Sequence, residues 1–165
     1  MKPYRKNVGI VVFNRAGRVI AGERIRYPNT FQFPQGGIDD GEDPLAAARR
    51  ELYEEIGLEI QDEPVGEIPD WLYYQFPPDI PARLNEFRGQ QQKWFFFFWD
   101  GAVEDLKLDL HEREFSSVKW LRLEEVTENI VPFKQEVYAR IRESGDQIIS
   151  DYLRLLDDTS LPEDR

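Results

Sequence analysis

Two segments near the start of the chain combine apolar and β-branched residues in the way that β-strands do. They span residues 8–13 (VGIVVF) and 18–24 (RVIAGER). The four residues between them begin with Asn14 and end with Gly17, and both residue types favour tight turns because they tolerate positive φ angles. The pattern predicts that the chain opens with two antiparallel strands joined by a hairpin turn.

After a loop rich in Pro and Gly, the apolar residues change from strand-like to helical spacing. Between Asp43 and Gly57 they recur three and four positions apart. Asp43 is suited to cap the first turn of a helix, Pro44 to occupy that turn, and Gly57 to end the helix. We therefore predict an amphipathic helix of about four turns. Its apolar positions are Leu45, Ala48, Leu52 and Ile56.

The rest of the chain predicts three more strands and two more helices. The strands are residues 65–76, 91–99 and 115–121, and the helices are residues 129–141 and 147–156. Strands followed by a helix, further strands and further helices are typical of an α+β domain. We expect an α/β/α sandwich in which a mixed β-sheet lies between helices.

A chain of 165 residues is long enough for one hydrophobic core and short for two. We expect a single domain over residues 1–156 and a charged, frayed tail over residues 157–165. The chain has no Cys and one His, which excludes disulfides, thiolate nucleophiles and clusters of His ligands. Its formal net charge of −11 disfavours nonspecific binding to nucleic acid or to an anionic membrane.

The apolar runs are short. Residues 8–13 are too few for the core of a signal peptide, and residues 94–99 are far fewer than the roughly 20 that cross a bilayer. We expect a soluble, cytoplasmic protein that does not bind a membrane.

The predicted helix ends in an acidic cluster. Glu51, Glu54 and Glu55 are spaced so that their carboxylates lie on one helix face, where like charges repel. One interpretation is a solvated acidic face that Arg49 and Arg50 neutralise. The other is a site that holds a cation. The spacing of the three glutamates alone favours the first interpretation.

The residues around this cluster favour the second. Gly36 is followed after five residues by Glu42, and after seven more by residues 50–58 (RELYEEIGL). This arrangement resembles the Nudix box, and every specified position of that pattern matches. The resemblance implies a Nudix-type fold and a hydrolase of phosphoanhydride bonds.

The resemblance also implies a metal site. Carboxylates suit Mg²⁺, which takes oxygen ligands and binds substrate phosphates, and Mn²⁺ can substitute for it. Arg50 would orient the glutamates by ion pairing, and Glu42 would support the loop or the outer shell of the metal. The implied ligands are Glu51, Glu54, Glu55, Glu114 and the main-chain carbonyl near Gly36, and the implied catalytic residues are Arg50 and the same four glutamates.

Further segments resemble one subgroup of that family, the dinucleoside polyphosphate hydrolases and bacterial RNA 5′-pyrophosphohydrolases. This resemblance covers about residues 4–142 and includes residues 32–38 (QFPQGGI) and 92–95 (QKWF). It implies that four cations face the polyphosphate, and that two aromatic residues lie near phosphate or base. The cations are Arg5, Arg24, Lys93 and Lys134, and the aromatic residues are Tyr74 and Phe133.

These residues also have structural interpretations, because most Lys and Arg are solvated and most aromatic residues belong to cores. His111 is interpreted as a surface histidine and receives no role.

Three functions remain open from the sequence. The first is a Mg²⁺-dependent hydrolase of dinucleoside polyphosphates such as diadenosine tetraphosphate, which the net charge favours because RNA binding relies on cations. The second is an RNA 5′-pyrophosphohydrolase that acts on a triphosphorylated 5′ end. The third is a catalytically silent module that senses nucleotides. The expected partner is a nucleotide polyphosphate or an RNA 5′ end, and the oligomeric state is left open.

Overall fold

A computed structural model describes residues 1–160 of the chain, and within them seven strands form one mixed sheet. Five strands are neighbours in the order β3-β2-β1-β6-β5, while β4 pairs with β1 and β7 pairs with β2. The strands are β1 (Tyr4–Phe13), β2 (Val19–Arg24), β3 (Phe31–Gln32), β4 (Gln35–Gly37), β5 (Gly66–Gln75), β6 (Gly89–Phe98) and β7 (Phe115–Leu121). The helices are α1 (Pro44–Ile56), α2 (Leu123–Glu128) and α3 (Gln135–Ser160).

The central pair of strands is parallel. β1 runs beside β6 from the pair Tyr4–Gly89 to the pair Phe13–Phe98, and β5 lies antiparallel on the other side of β6. Because successive side chains of a strand point to opposite faces, these strands supply both faces of the sheet. Their buried residues therefore form two separate cores.

Each core lies between the sheet and helices. Leu52 and Ile56 of α1 pack with Ile10 and Phe95 on one face. On the other face, residues of α2 and α3 pack in a second cluster that includes Trp94. The expected α/β/α sandwich with a mixed sheet between helices is thus confirmed.

The ends of α1 follow the sequence signals. The Asp43 carboxylate accepts hydrogen bonds from the backbone N–H groups of Leu45 and Ala46. Gly57 ends the helix with a φ of 71°, and its N–H donates to the carbonyl of Tyr53. Glycine adopts that left-handed conformation more readily than residues with a Cβ, so the helix stops where its sequence predicts.

The predicted helices over residues 129–141 and 147–156 are wrong as separate elements, because one helix runs from Gln135 to Ser160. Residues 132–134 form a single 3-10 turn before it. Gly145, which lies between the two predicted helices, is inside this helix, and a Cβ there would approach Leu123 and Phe96 to 3.1 and 3.2 Å. Glycine at this position allows close packing and does not end the helix.

Three short elements are absent from the sequence prediction: β3, β4 and α2. The predicted tail from residue 157 is helical as far as Ser160, and residues 161–165 lie outside the described residues. Among the described residues, no helix is both long enough and apolar enough to cross a membrane.

Candidate active site

A cavity of about 500 Å³ opens where β1, β5 and β6 meet the residues before and within α1. Its lining brings together charged groups from distant parts of the chain. The carboxylates are Glu51, Glu54, Glu55 and Glu114, and the cations include Arg5, Arg24 and Lys134. Gly36, Tyr74 and Phe133 also line it. Of the residues to which the resemblance gives a role, only Glu42, Arg50 and Lys93 are missing from the described lining of the cavity.

Arg50 holds the acidic residues in place. Its Nε and Nη2 donate to the two carboxylate oxygens of Glu42, each at 2.9 Å, and Nη2 also donates to the Gly37 carbonyl at 2.8 Å. Nη1 donates to Glu51 at 2.8 Å and to Glu54 at 3.3 Å. One guanidinium therefore connects the loop that carries Glu42 to two of the three box glutamates.

Glu42 is fully engaged in this arrangement. Its hydrogen bonds from Arg50, together with one from the Asp39 backbone N–H, lower its pKa to about 2. The paired side chain is more acidic than usual because each of these donors stabilises the ionised carboxylate. Glu42 does not line the cavity, which agrees with a supporting role for the loop.

Glu51 lies against Gly36. A Cβ at that position would overlap the Glu51 carboxylate, so only glycine leaves room for it. Burial raises the pKa of Glu51, although the hydrogen bond and charge of Arg50 act in the opposite direction. The close approach brings the Glu51 carboxylate beside the main chain of Gly36.

Glu55 differs from Glu51 and Glu54 because it forms no ion pair within residues 1–160. The residue is only 8% exposed, and none of the described residues hydrogen-bonds to its Oε2. Burial, followed by the charges of Glu51 and Glu114, raises the pKa of Glu55 well above its ordinary value. The backbone N–H of Gln35 offsets this only in part.

The carboxylates fit a divalent cation in their chemistry. Within the described residues, no three His, Cys, Asp or Glu side chains stand close enough together to hold an ion as they are placed here. However, the donor set consists of oxygens, which Mg²⁺ prefers, and the unpartnered Oε2 of Glu55 is a buried acceptor that a cation would satisfy. Binding would require the four carboxylates of the lining to draw closer together.

The cations of the cavity are partly desolvated. Lys134 is 3% exposed, and its Nζ donates to Gln32 Oε1 at 3.1 Å. Burial, followed by the nearby charge of Arg24, lowers its pKa to about 7. Burial also lowers the pKa of Arg5, whose guanidinium fills the space that a side chain at position 37 would need.

Two aromatic residues stand beside these cations. The rings of Tyr74 and Phe133 are 5.6 Å apart, and the Nζ of Lys134 lies 5.5 Å from the Tyr74 ring. Tyr74 is buried, whereas Phe133 is 37% exposed. Phe133 is therefore the ring that remains accessible to a planar ligand group.

Lys93 is the predicted substrate residue that the structure does not bring to the cavity. Its Nζ donates to the Pro69 carbonyl at 2.7 Å and lies 5.2 Å from the ring of Trp71. On β6, Gln90 and Gln92 point to the cavity side, so the residue between Gln92 and Trp94 points to the other face. The structure therefore does not bring Lys93 to the cavity, and a contact of Lys93 with the polyphosphate stays a prediction.

The sequence analysis missed a group of buried amides beneath the cavity. Gln92 donates to Asn7 at 2.8 Å and to Gln35 at 3.3 Å, and it accepts a hydrogen bond from the indole N–H of Trp94 at 3.2 Å. Gln90 lines the cavity, and its Oε1 has no hydrogen-bond partner in the part of the chain that the structure describes. Amides at alternate positions of a buried strand were the signal available for these residues.

His111 also lies in the cavity lining, at an exposed position.

The chain matches one family model and is similar in sequence to proteins that share a single name. The NUDIX domain model matches residues 3–141. A protein named RNA pyrophosphohydrolase from Cereibacter sphaeroides (strain KD131) is 45% identical over 143 residues, covering 84% of this chain and 88% of that protein. A protein of the same name from Bartonella bacilliformis is 43% identical over 153 residues, covering 84% of this chain and 89% of that protein.

Solved structures share the fold at low sequence identity. A C. elegans Ap4A hydrolase matches with a TM-score of 0.60 and 19% identity, covering 87% of this chain and 97% of that chain. The E. coli dihydroneopterin triphosphate pyrophosphohydrolase matches with a TM-score of 0.62 and 19% identity, covering 91% of this chain and 99% of that chain.

Proposed function

We propose that this chain, a pyrophosphohydrolase that belongs to the NUDIX domain family, removes pyrophosphate from the 5′ end of triphosphorylated RNA. The observation that carries the choice of substrate is the similarity to proteins named RNA pyrophosphohydrolase, at 45% identity over 84% of the chain. The cavity supports this choice because it holds carboxylates, cations and an accessible aromatic ring in one place.

Enzymes of this family depend in general on divalent metal, and Mg²⁺ is the cation we propose here, with Mn²⁺ as a substitute. Glu51, Glu54, Glu55 and Glu114 would hold it. When bound, the cation would polarise phosphoryl oxygens and lower the pKa of an attacking water. The main-chain carbonyl of Gly36 would contribute from the strand against which Glu51 lies.

The protein side chains perform the remaining tasks. Arg50 keeps Glu51 and Glu54 in fixed positions through its hydrogen bonds. Arg5, Arg24 and Lys134 would bind the polyphosphate. The burial of Arg5 and Lys134 would make their contacts stronger than in water, because the local dielectric constant is low.

The base would lie beside Phe133. Its exposed ring offers a flat surface on which any base can stack, while buried Tyr74 supports it from below. Such stacking would place the first nucleotide at the cavity and direct its phosphates toward Arg5 and the glutamates.

The function is tested by product analysis with purified protein. The substrates are triphosphorylated RNA, diadenosine tetraphosphate, nucleoside triphosphates and sugar nucleotides, each with Mg²⁺, with a chelator, and with Mn²⁺ added back. We expect pyrophosphate from the RNA, no turnover in chelator, and recovery with either cation. Full turnover in chelator would contradict the metal mechanism, and no product from any substrate would favour the catalytically silent module.

Dinucleoside polyphosphates are the second candidate substrate. The formal net charge of −11 favours a small nucleotide over a long polyanion. In the same assay, a higher kcat/KM for diadenosine tetraphosphate than for triphosphorylated RNA would establish this alternative.

A further inference from the structure

The face of the sheet opposite the cavity carries a group of aromatic and cationic side chains that the proposed mechanism does not use. We call it the aromatic strip, and it lies on β1, β6, β5 and the residue before β6. Its members are Tyr4, Lys6, Trp71, Tyr73, Arg88 and Lys93.

Strand register places these residues together. Tyr73 pairs with Gln91, and Gln91 pairs with Lys6, so their side chains share one face of three adjacent strands. The next residues along, Tyr74 and Gln90, line the cavity on the other face. The strip and the cavity are therefore back to back on the same end of the sheet.

Contacts within the strip join rings to cations. The rings of Tyr4 and Tyr73 are 5.0 Å apart in an edge-to-face arrangement. The guanidinium of Arg88 lies 4.8 Å from the Tyr4 ring, and the Nζ of Lys93 lies 5.2 Å from the Trp71 ring. These contacts stabilise the positions of the rings, so the rings would lose little further conformational freedom when a ligand binds.

The strip is open to solvent. Farther along the same face, Val8 and Ile10 are fully buried in the core that contains α1. Tyr73, by contrast, is 50% exposed, and Lys6 is exposed as well. The helix therefore leaves this part of the sheet uncovered.

The charge of the strip is opposite to that of the whole protein. Lys6, Arg88 and Lys93 form no ion pair with any carboxylate in the part of the chain that the structure describes, whereas Arg15, Arg50, Arg122, Arg140, Arg142 and Arg154 each do. A surface with three unpaired cations and three aromatic rings suits a polyanion that carries planar groups. Single-stranded nucleic acid has both properties, and its bases stack on aromatic rings with little sequence preference.

We propose that the aromatic strip binds the single-stranded RNA that follows the 5′ end held in the cavity. This inference rests on the proposed function, because it concerns the same RNA substrate. The positive charge of Lys6, Arg88 and Lys93 is complementary to the phosphates of RNA, although the protein as a whole is acidic. A globular protein partner is less well matched, because the charged members of the strip are all cations.

The test separates the strip from the cavity by using RNA without a 5′ phosphate. A single-stranded 5′-hydroxyl RNA of about ten nucleotides, labelled at its 3′ end, is titrated with the full-length protein in chelator, and fluorescence anisotropy is recorded. We expect binding to the wild type and affinity at least about tenfold lower for the double variant Lys6→Gln/Tyr73→Ser, because stacking and a phosphate contact are both lost. A duplex of the same sequence should bind more weakly, because its bases are already stacked.

A matched double variant controls for general effects. Tyr53→Ser/Arg154→Gln removes a tyrosine that is 48% exposed and an exposed arginine from other surfaces of the protein. It should bind the RNA like the wild type. Turnover of a triphosphorylated dinucleotide, which is too short to reach the strip, should be unchanged in both variants and so also confirms that they are folded.

Two results would overturn the proposal: no binding of the 5′-hydroxyl RNA by the wild type, or equal binding by the wild type and Lys6→Gln/Tyr73→Ser. Failure of the proposed function has a different signature, because the wild type would then bind this RNA in chelator and yet release no pyrophosphate from triphosphorylated RNA with Mg²⁺.

Discussion

The acidic residues around α1 form two regions that differ in how their negative charges are compensated. The guanidinium of Arg50 donates five hydrogen bonds, which hold the carboxylates of Glu42, Glu51 and Glu54. Four of those bonds go to carboxylates and the fifth goes to the Gly37 carbonyl. At the other region, Glu55 is buried and leaves an oxygen unpartnered.

The difference teaches what each region is for. The pKa of Glu42, in the loop before α1, falls to about 2, while that of Glu55, near the end of α1, rises well above its ordinary value. A paired charge stabilises the fold, whereas an unpaired buried charge costs stability until a ligand arrives. Arg50 thus compensates the charges of the first region, whereas Glu55 keeps a buried acceptor that suits a cation.

The largest expected effect is on catalysis. Glu54→Gln and Glu55→Gln should each lower kcat by about 100-fold or more, because each removes a charged ligand or base and preserves the shape of the side chain. The measurement is pyrophosphate release from triphosphorylated RNA at saturating Mg²⁺. Glu63→Gln, at an exposed position after the helix, is the control and should retain wild-type turnover. Wild-type rates in both test variants would mean that the cluster of glutamates is only a solvated acidic face.

The next effect concerns the paired region. Arg50→Met should lower the free energy of unfolding by about 2 kcal/mol, because it leaves partly buried carboxylates and the Gly37 carbonyl without their donor. Urea denaturation followed by circular dichroism measures this. Arg142→Met removes a surface arginine paired with Glu128 and should cost under about 1 kcal/mol. Equal losses in the two variants would mean that Arg50 contributes no more than a surface charge.

The smallest effect has the opposite sign. Glu55→Gln should raise the free energy of unfolding of the metal-free protein by about 1 kcal/mol near neutral pH, because it removes a buried unpaired charge. The pKa of Glu55 is raised on folding, so its stabilising contribution is present below its unfolded pKa near 4.5 and is lost as the pH increases. The advantage of the variant should therefore be small at pH 4 and grow toward pH 8.

Glu42 provides the contrasting control in the same denaturation series. Its pKa is lowered to about 2 on folding, so its contribution is present above about pH 4.5 and is lost as the pH falls toward 2. Glu42→Gln should therefore be less stable than the wild type at neutral pH, and the gap should close in acid. If Glu55→Gln instead showed the pH dependence expected of Glu42→Gln, the two regions would not differ as described.

Short sequence signals correctly predicted the features that depend only on residues within about one turn of each other. Asp43 and Gly57 cap α1 as expected, because a capping side chain and a left-handed glycine act within one turn. The box pattern likewise placed Glu51, Glu54 and Glu55 at one cavity. The roles of these residues as metal ligands stay predictions.

The parts that were missed depend on distant packing. Gly145 lies inside α3 and leaves room for Leu123 and Phe96 to pack closely, and neither contact is visible from neighbouring residues in the sequence. Lys93 was assigned to the cavity although strand alternation turns it to the other face, which requires knowing that Gln90 and Gln92 face inward. β4 has three residues, too few for any periodicity to appear.

The parallel pairing of β1 with β6 bears on the time at which the cavity comes into existence. Asn7 and Gln92, which pair across the two strands, are 85 positions apart. The chain between them must therefore form a long closed loop before they meet. Loop-closure entropy therefore opposes this pairing until the partner strand is available, and long-range contacts of this kind slow folding. During synthesis from the N-terminus, the box helix can emerge and begin to coil well before β6 exists. Arg5 and Glu51 would then be present in the nascent chain before β6, the strand that completes the cavity around them. The capacity for hydrolysis would therefore arise only late in the synthesis of each molecule.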